Sequence, residues 1–348
     1  MPAPITIIGG GLAGLTLGIG LRQRDVPVII QEAGDYPRHR VCGEFINGSG
    51  QTVLERIGAL PHFQKAGAIY ARTVMFIYGT EQSPVRTLAT PALCLSRYKM
   101  DVLLAEIFQQ SGGELRTRSR WTSGLDGEGV VSAFGRRLQT AEKNSMAHAR
   151  WFGVKAHIST PVNLQADLEM HISPDGYVGL SRINNGQANA CGLFQARPDN
   201  RPESKTEWLR GQPGSLLRER LGTAQFEPDS FCSVAGIQLK PQRASAQKEC
   251  CIGDTLTMTP PVTGNGMSMA FESAEAAIEP LAAYSRGQLN WNEARKQIAH
   301  RCDAAFSRRL AWARMLQWMI FSQTIHEGLK KFLLRSDWLW KLMFAQTR

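Results

Sequence analysis

The chain has 348 residues, with 40 Lys+Arg against 30 Asp+Glu for a formal charge of +10, and it is 43% hydrophobic with eight Trp. A length above about 250–300 residues argues against a single hydrophobic core, and this composition excludes a disordered, collagenous or coiled-coil chain. Seven Cys without a Cys-x-x-Cys pair and seven His without ligand spacing exclude a disulfide scaffold and a zinc site, so the expectation is a reduced, cytoplasmic protein without metal.

Ile5-Thr6-Ile7-Ile8 is a β-branched run that predicts a buried strand. Glycines at 9, 10, 11 and 14 follow, and Leu15 to Arg22 has helical spacing. No basic residue precedes this stretch, and its glycines interrupt any spanning helix, so it reads as folded structure rather than as a signal peptide. In a Gly-x-Gly-x-x-Gly unit, Gly9 makes the tight turn, Gly11 lets a pyrophosphate approach the backbone, and Gly14 lets the helix pack on the sheet. Leu12 and Ala13, inside the glycine unit, join the candidate cofactor contacts. Val26 to Ile30 predicts a second buried strand ending near Glu32, 18 residues after Gly14. An acid at that distance hydrogen-bonds a ribose 2′-OH and repels a 2′-phosphate, which points to FAD or NAD, with Ala33 beside it.

Further along, Arg72–Tyr78 and Val85–Leu88 predict a hairpin, and Trp151–Ile158, Ala166–Ile172, Tyr177–Ile183 and Asn189–Phe194 a strand series. Ala166, Leu168, Met170 and Ile172 alternate with polar residues, which predicts an antiparallel sheet with one buried and one exposed face. Tyr177, Trp151, His157 and Phe231 are candidate wall residues of a ligand site, although aromatic side chains in strands more often serve packing. The proline-bearing connector from Ala196 to Arg220 reads as polar and peripheral. Then an apolar strand end delivers Gly253 and Asp254, Thr259 to Gly266 forms a Pro/Gly turn, and Met267 to Ala283 reads as a small-residue helix. A carboxylate at such a strand end binds a polyol hydroxyl, and the free amides of a helix N-terminus stabilise an electron-rich ring.

Residues 286–348 hold 12 Lys+Arg, 4 Asp+Glu and five of the eight Trp, a net of +8 that leaves +2 for the first 285 residues. Ile298, Cys302, Phe306, Leu310, Ala313 and Ile320 recur at helical spacing, and Leu329–Leu334 and Trp338–Phe344 are further helical stretches. Basic residues mixed with Trp and Leu suggest peripheral membrane contact, and the competing reading is a set of helices docked on the nucleotide domain. No nucleic-acid module accompanies the charge, so nucleic acid is not expected as a partner.

The glycine unit, the segment Arg38-His39-Arg40-Val41-Cys42-Gly43-Glu44, the run Ser96 to Leu104, and Gly253-Asp254 followed by Pro-Pro-Val-Thr-Gly-Asn-Gly-Met together resemble the FAD-dependent geranylgeranyl reductase family. That family lies in the superfamily with the p-hydroxybenzoate hydroxylase fold, beside aromatic monooxygenases and flavin halogenases. The resemblance implies an α/β (α+β) protein: a Rossmann-like FAD-binding domain (1–68, 94–145, 245–285), an interleaved antiparallel β-sheet substrate domain (69–93, 146–244) and a C-terminal helical region (286–348). It implies that Asp254 contacts the ribityl chain and that Arg97 lies along the FAD, with Arg40 also in contact. Gly264, Asn265, Gly266 and Met267 would face the pyrimidine edge. Cys42 and Gly43 would lie near the reactive face, with Cys42 the candidate catalytic group.

The sequence also departs from its relatives' patterns. Phe134 stands where superfamily hydroxylases carry the acid of an Asp-Gly pair, Thr255-Leu256-Thr257 replaces their Ala-Ala-His, and only Tyr177 remains of the reductases' aromatic substrate motif. The leading expectation is an FAD-dependent oxidoreductase acting on a hydrophobic isoprenoid, polyketide or aromatic molecule by hydride transfer through flavin N5. NAD(P)H or a reduced carrier would supply the electrons. The alternative is an FAD-dependent monooxygenase of an aromatic or polyketide substrate, and the lesser alternative a non-catalytic FAD-binding protein.

Overall fold

The computed structural model describes residues 2–135, 151–195, 204, 206–237, 239, 241–321 and 335–346. Its first half contains β1 (Ile5–Ile8), α1 (Leu12–Arg22), β2 (Val28–Gln31), β3 (Phe45–Ile46), α2 (Gly48–Arg56), α3 (Leu60–Lys65), β4 (Ile69–Tyr78), β5 (Glu81–Gln82), β6 (Arg86–Cys94), α4 (Arg97–Gln110), β7 (Glu114–Arg116) and β8 (Val130–Ser132). The second half contains β9 (Trp151–Ile158), β10 (Leu168–Ser173), β11 (Gly176–Arg182), β12 (Ala188–Gln195), α5 (Glu207–Arg210), α6 (Leu216–Leu221), β13 (Cys232–Val234), β14 (Cys250–Cys251), α7 (Gly266–Ser285), α8 (Trp291–Phe321) and α9 (Asp337–Gln346).

The five strands in the order β14-β8-β1-β2-β7 pair in parallel. A parallel sheet needs cover on both faces, which is why Ile5, Ile7, Val28 and Ile30 on one face and Ile8 and Val130 on the other are all buried. Their cover includes α1, α4 and α7, and the core they share extends through Trp291, Ile298, Cys302, Phe306 and Leu310 of α8. The apolar stripe of the C-terminal helix is thus taken up by this core, while Trp318 and Trp338 remain exposed. Leu329–Leu334 lies outside the described residues.

The second sheet runs β13-β9-β12-β11-β10-β4-β6-β3, with β5 beside β4. The expected antiparallel sheet is present, with one parallel pairing among the described residues, β10 beside β4 with Leu168 opposite Val74. Two further expectations are corrected here. The sheet's outer face is not exposed, and the connector before Arg220 is not merely peripheral: Leu209, Leu217 and Leu221 of α5 and α6 pack on Val154, Ala156, Val178 and Leu180. The polar residues that alternate along β10 are therefore buried too. Glu169 accepts from His171 (3.0 Å) and pairs with Arg220 (2.9 Å), so burial of the carboxylate is matched by two cationic or donor partners.

Candidate functional site

The glycine turn sits where β1 hands over to α1. Gly9 has φ +109°, and a Cβ on Gly14 would lie 2.0 Å from the Gly9 carbonyl oxygen, so that contact of helix on turn excludes any side chain. Gly11 is different: it is the N-cap of α1, forms no side-chain capping bond, and a Cβ there would meet nothing within 4 Å. Among the described residues, the first turn of α1 therefore opens onto free space at Gly11 with no side-chain cap on its amides, the arrangement that attracts an anionic group. Gly253, with φ +60°, brings its own segment over this helix start, since a Cβ on it would lie 2.9 Å from the Ala13 Cβ. Asp254 is exposed at the edge of the same cradle, and Thr255 Oγ1 accepts from the Gly135 amide at 2.9 Å behind it. Leu12 and Ala13 are buried under the turn, and Ala33 is exposed.

Glu32 lies across the turn and accepts hydrogen bonds from the amides of Gly10 (2.8 Å) and Gly34 (2.7 Å) and from Arg38 (2.6 Å). Burial alone would raise its pKa, but the Arg38 guanidinium and the two amides outweigh that and hold it at about 2. Its Oε2 accepts from Gly10 alone among the described residues and retains acceptor capacity. Tyr36 donates to the Gly10 carbonyl, and burial followed by the Glu32 charge pushes its phenol upward. Arg38 spends one nitrogen on Glu32, while its Nε and Nη2 are buried without any partner among the described residues. Arg40 is exposed, and its pKa is lowered by burial of its guanidinium and by the neighbouring charges of Arg38 and Arg97. Arg97 is held by Asp101 through two bonds of 2.8 and 3.0 Å. Arg38, bonded to the acid that accepts from Gly10 and carrying orphaned donors, together with an uncapped helix N-terminus fits a dinucleotide pyrophosphate, and Arg40 is close enough to feel the charges of Arg38 and Arg97.

Beyond Arg97 the chain reaches Cys42 and Gly43. Burial raises the Cys42 thiol, so it is a protonated group at neutral pH despite the nearby Arg97. A Cβ on Gly43 would lie 2.9 Å from the Phe45 ring, and one on Gly264, which has φ +64°, would lie 2.4 Å from that ring. Phe45 thus spans the gap between two segments that the sequence singles out separately. Asn265 occupies the N-cap position of α7 without a side-chain capping bond and accepts from Asn47 Nδ2 at 2.6 Å, a Cβ on Gly266 would meet nothing within 4 Å among the described residues, and Met267 is buried. On the far side of Asn47 a groove of about 740 Å³ is lined by Val85, Arg86, Thr90, Trp340, Lys341 and Phe344.

The structure therefore brings Gly9, Gly11, Gly14, Glu32, Gly253 and Asp254 to one cradle, and it sets Cys42 beside Arg97. Gly43 and the turn from Gly264 to Met267 meet across Phe45. Of the wall candidates, Tyr177 is packed with Ile172 and Leu193, Phe231 joins the outer-face core, and Trp151 borders a separate cavity of about 290 Å³. Only His157 reaches the site segment: its Nε2 lies 2.7 Å from Glu44 Oε2. Sequence reasoning missed Arg38, Phe45, Glu44 and Lys155. The available signal was a row of polar residues on one sheet face, since His157, Asn189 and Ser181 are in register and Lys155 lies two residues before His157.

No protein-family profile matches the chain, and no curated protein sequence matches it. Solved structures do. The flavin-dependent brominase Bmp2 is similar with a TM-score of 0.75 at 16% identity, over 99% of this chain and 93% of that one. The myxobacterial chondrochloren halogenase CndH has a TM-score of 0.74 at 15% identity, over 100% and 91%. PqsL from Pseudomonas aeruginosa, inferred to be an FAD-dependent monooxygenase, has 0.68 at 15%, over 94% and 100%. The fold is thus that of FAD-dependent halogenases and monooxygenases, the p-hydroxybenzoate hydroxylase fold, and a specific likeness to geranylgeranyl reductases is not among these findings.

Proposed function

We propose that the chain is an FAD-dependent enzyme of the monooxygenase and halogenase type that acts on a small, largely apolar organic molecule. The observation that carries this reading is the cradle at Gly11, with uncapped α1 amides and orphaned Arg38 donors, within a fold shared over nearly the whole chain with such enzymes. When bound, FAD supplies the redox chemistry, taking electrons from NAD(P)H or a reduced carrier and passing them to O2. The chain's own residues do the rest. In this reading the first turn of α1 and Arg38 hold the pyrophosphate, with Arg40 and Arg97 adding positive charge, and Glu32 Oε2 accepts a ribose hydroxyl. Asp254 binds the ribityl chain, and the turn from Gly264 to Met267 places the α7 N-terminus at the ring's electron-rich edge. Cys42, a neutral thiol, holds a proton or fills space beside the ring.

The groove beyond Phe45 supports an apolar substrate, with Val85, Trp340 and Phe344 supplying contact area. Its size is in the range of small-molecule sites, and Trp340 and Phe344 offer ring surfaces on which an aromatic substrate can stack. We assign the segments 1–68, 94–145 and 245–285 to cofactor binding, 69–93 and 146–244 to the substrate side, and 286–348 to the helical cover. The reductase reading loses its place to the oxygen-using one, because the similar structures named above are halogenases and an inferred monooxygenase.

Purified protein reconstituted with FAD tests both levels. A flavin absorption band that stays with folded protein supports the cofactor, and its absence after addition of FAD refutes it. Reduced enzyme mixed with candidate aromatic substrates, with and without halide, should form product only when O2 is admitted. Product formed under strict anaerobiosis restores hydride transfer and removes the proposal.

A further inference from the structure

Three successive residues, Cys42, Gly43 and Glu44, are each gripped by side chains from the second sheet. Asn189 Nδ2 donates to the Cys42 carbonyl at 3.0 Å, and Ser181 Oγ donates to the Gly43 carbonyl at 3.0 Å. Glu44 has φ +58°, an unusual conformation for a residue with a side chain, and its carboxylate is fully buried. Oε1 accepts from the Arg97 amide at 2.8 Å and lies 3.2 Å from Lys155 Nζ, while Oε2 meets His157 at 2.7 Å. Lys155 is itself fully buried, and its Nζ lies 3.1 Å from His39 Nδ1. An ion pair taken out of water in this way is a poor route to stability, since apolar residues of similar volume serve as well or better. What a buried network bonded this densely does provide, with Asn189 Oδ1 its one atom lacking a partner among the described residues, is one fixed geometry.

That geometry has an object. The backbone N–H groups of Cys42 and Gly43 find no acceptor among the described residues, whereas the carbonyls of both are tied down. The donors therefore stand free on a segment whose other side is fully engaged.

We infer that Glu44 is a positioning residue: with Lys155, His157, Asn189 and Ser181 it fixes the Cys42–Gly43 backbone as a rigid ledge whose free amides align the ring of a bound flavin. This rests on the flavin reading of the site. The cluster acts through the backbone and does not itself touch the ring.

The test uses the full chain and the variant Glu44→Gln, with two readouts beside thermal unfolding. In the protein without FAD, the rate of Cys42 alkylation by iodoacetamide is followed by peptide mass spectrometry, with buried Cys94, Cys250 and Cys302 as internal references. In the protein with FAD, the visible circular dichroism of the bound flavin reports ring orientation. The expected result is at least tenfold faster labelling of Cys42 and a changed sign or amplitude of the flavin dichroism. A lower melting temperature with both readouts at wild-type values marks a merely structural role and overturns the inference. If Glu44→Gln does not fold, Ser181→Ala, which removes one hydroxyl from the same grip, should move both readouts in the same direction by a smaller factor, and unchanged readouts there overturn it equally. A wild-type chain that takes up no FAD refutes the flavin reading and the ring-aligning role with it, while the labelling rate still reports whether Glu44 holds the ledge.

Discussion

Gly11 and Gly14 are three residues apart in one turn, yet the structure separates what each is for, and exchanging each for Ala separates them in experiment. Gly11 has φ −89° and ψ −172°, which any residue adopts, and a methyl group there touches nothing within 4 Å. Its exchange gives up only the preference for Gly over Ala at an N-cap, at most about 1 kcal/mol. In this reading the methyl enters the space reserved for the pyrophosphate, and an overlap of this kind costs about 1–3 kcal/mol. At 1.4 kcal/mol per tenfold, FAD binding should weaken by roughly 5- to 150-fold while the apo protein melts within a few degrees of wild type. Gly14→Ala behaves in the opposite way. Its Cβ would fall 2.0 Å from a backbone oxygen, so α1 must lift from the turn by more than an ångström, and stability drops in the apo protein. Melting followed by far-UV circular dichroism and FAD titration followed by flavin fluorescence read the two effects. Wild-type FAD affinity in Gly11→Ala, or an equal loss of stability in both variants, would refute the assignment of the cradle.

Arg38→Met removes the donors left over from Glu32 and should weaken FAD by ten- to a hundredfold, as expected for loss of a charge-assisted contact of about 1.5–3 kcal/mol; titrations at two salt concentrations should show a shallower salt dependence than wild type. Glu32, held at about 2 from its ordinary 4.5, contributes stability that is complete above pH 5 and is lost as the pH falls towards 2. Urea unfolding of apo wild type and Glu32→Gln at pH 6 and pH 3 should show the variant losing about 2 kcal/mol less over that interval, because about 1.5 of the 2.5 pK units are crossed by pH 3, at 1.36 kcal/mol each. Arg220→Met strips the buried Glu169 of its guanidinium and should cost about 3–5 kcal/mol of stability without changing the FAD dissociation constant, because this cluster lies on the outer face of the sheet.

Much of the cradle was legible because it is local. Gly9 to Glu32 form one strand, turn, helix and strand whose roles follow from backbone sterics within 24 consecutive residues. Gly253 and Gly264 were legible by resemblance, and the structure brings the first to Ala13 and the second to Phe45. Arg38 was not legible. It stands six residues past Glu32 beyond a Tyr-Pro turn, and nothing in the spacing says that its side chain folds back on the acid. The outer face of the second sheet was misread for a different reason. Glu169 and His171 alternate as solvent-facing residues do, and the Leu residues of α5 and α6 that cover them are short runs among prolines and charges, too brief to show helical periodicity.

On the inner face the sequence reading named His157 alone, as a wall candidate, and left its polar neighbours without a role. Lys155, His157, Asn189 and Ser181 are polar residues on strands, and the usual inference is that such a face meets water. Here it meets backbone. Four polar side chains from three strands converge on the carbonyls of Cys42 and Gly43 and on the carboxylate of Glu44, so that the alternation records which atoms must be held rather than which face is wet. An apolar face would bury the same area and leave those carbonyls without donors, at the cost of an unsatisfied polar group for each. The polar row is therefore a requirement of docking an irregular segment between two sheets. That is also why the sequence could suggest Cys42 and His157 but not how they are joined: the supports of the ledge are written in residues 44 to 189, in five places, four of which the paired register of β9, β12 and β11 brings together.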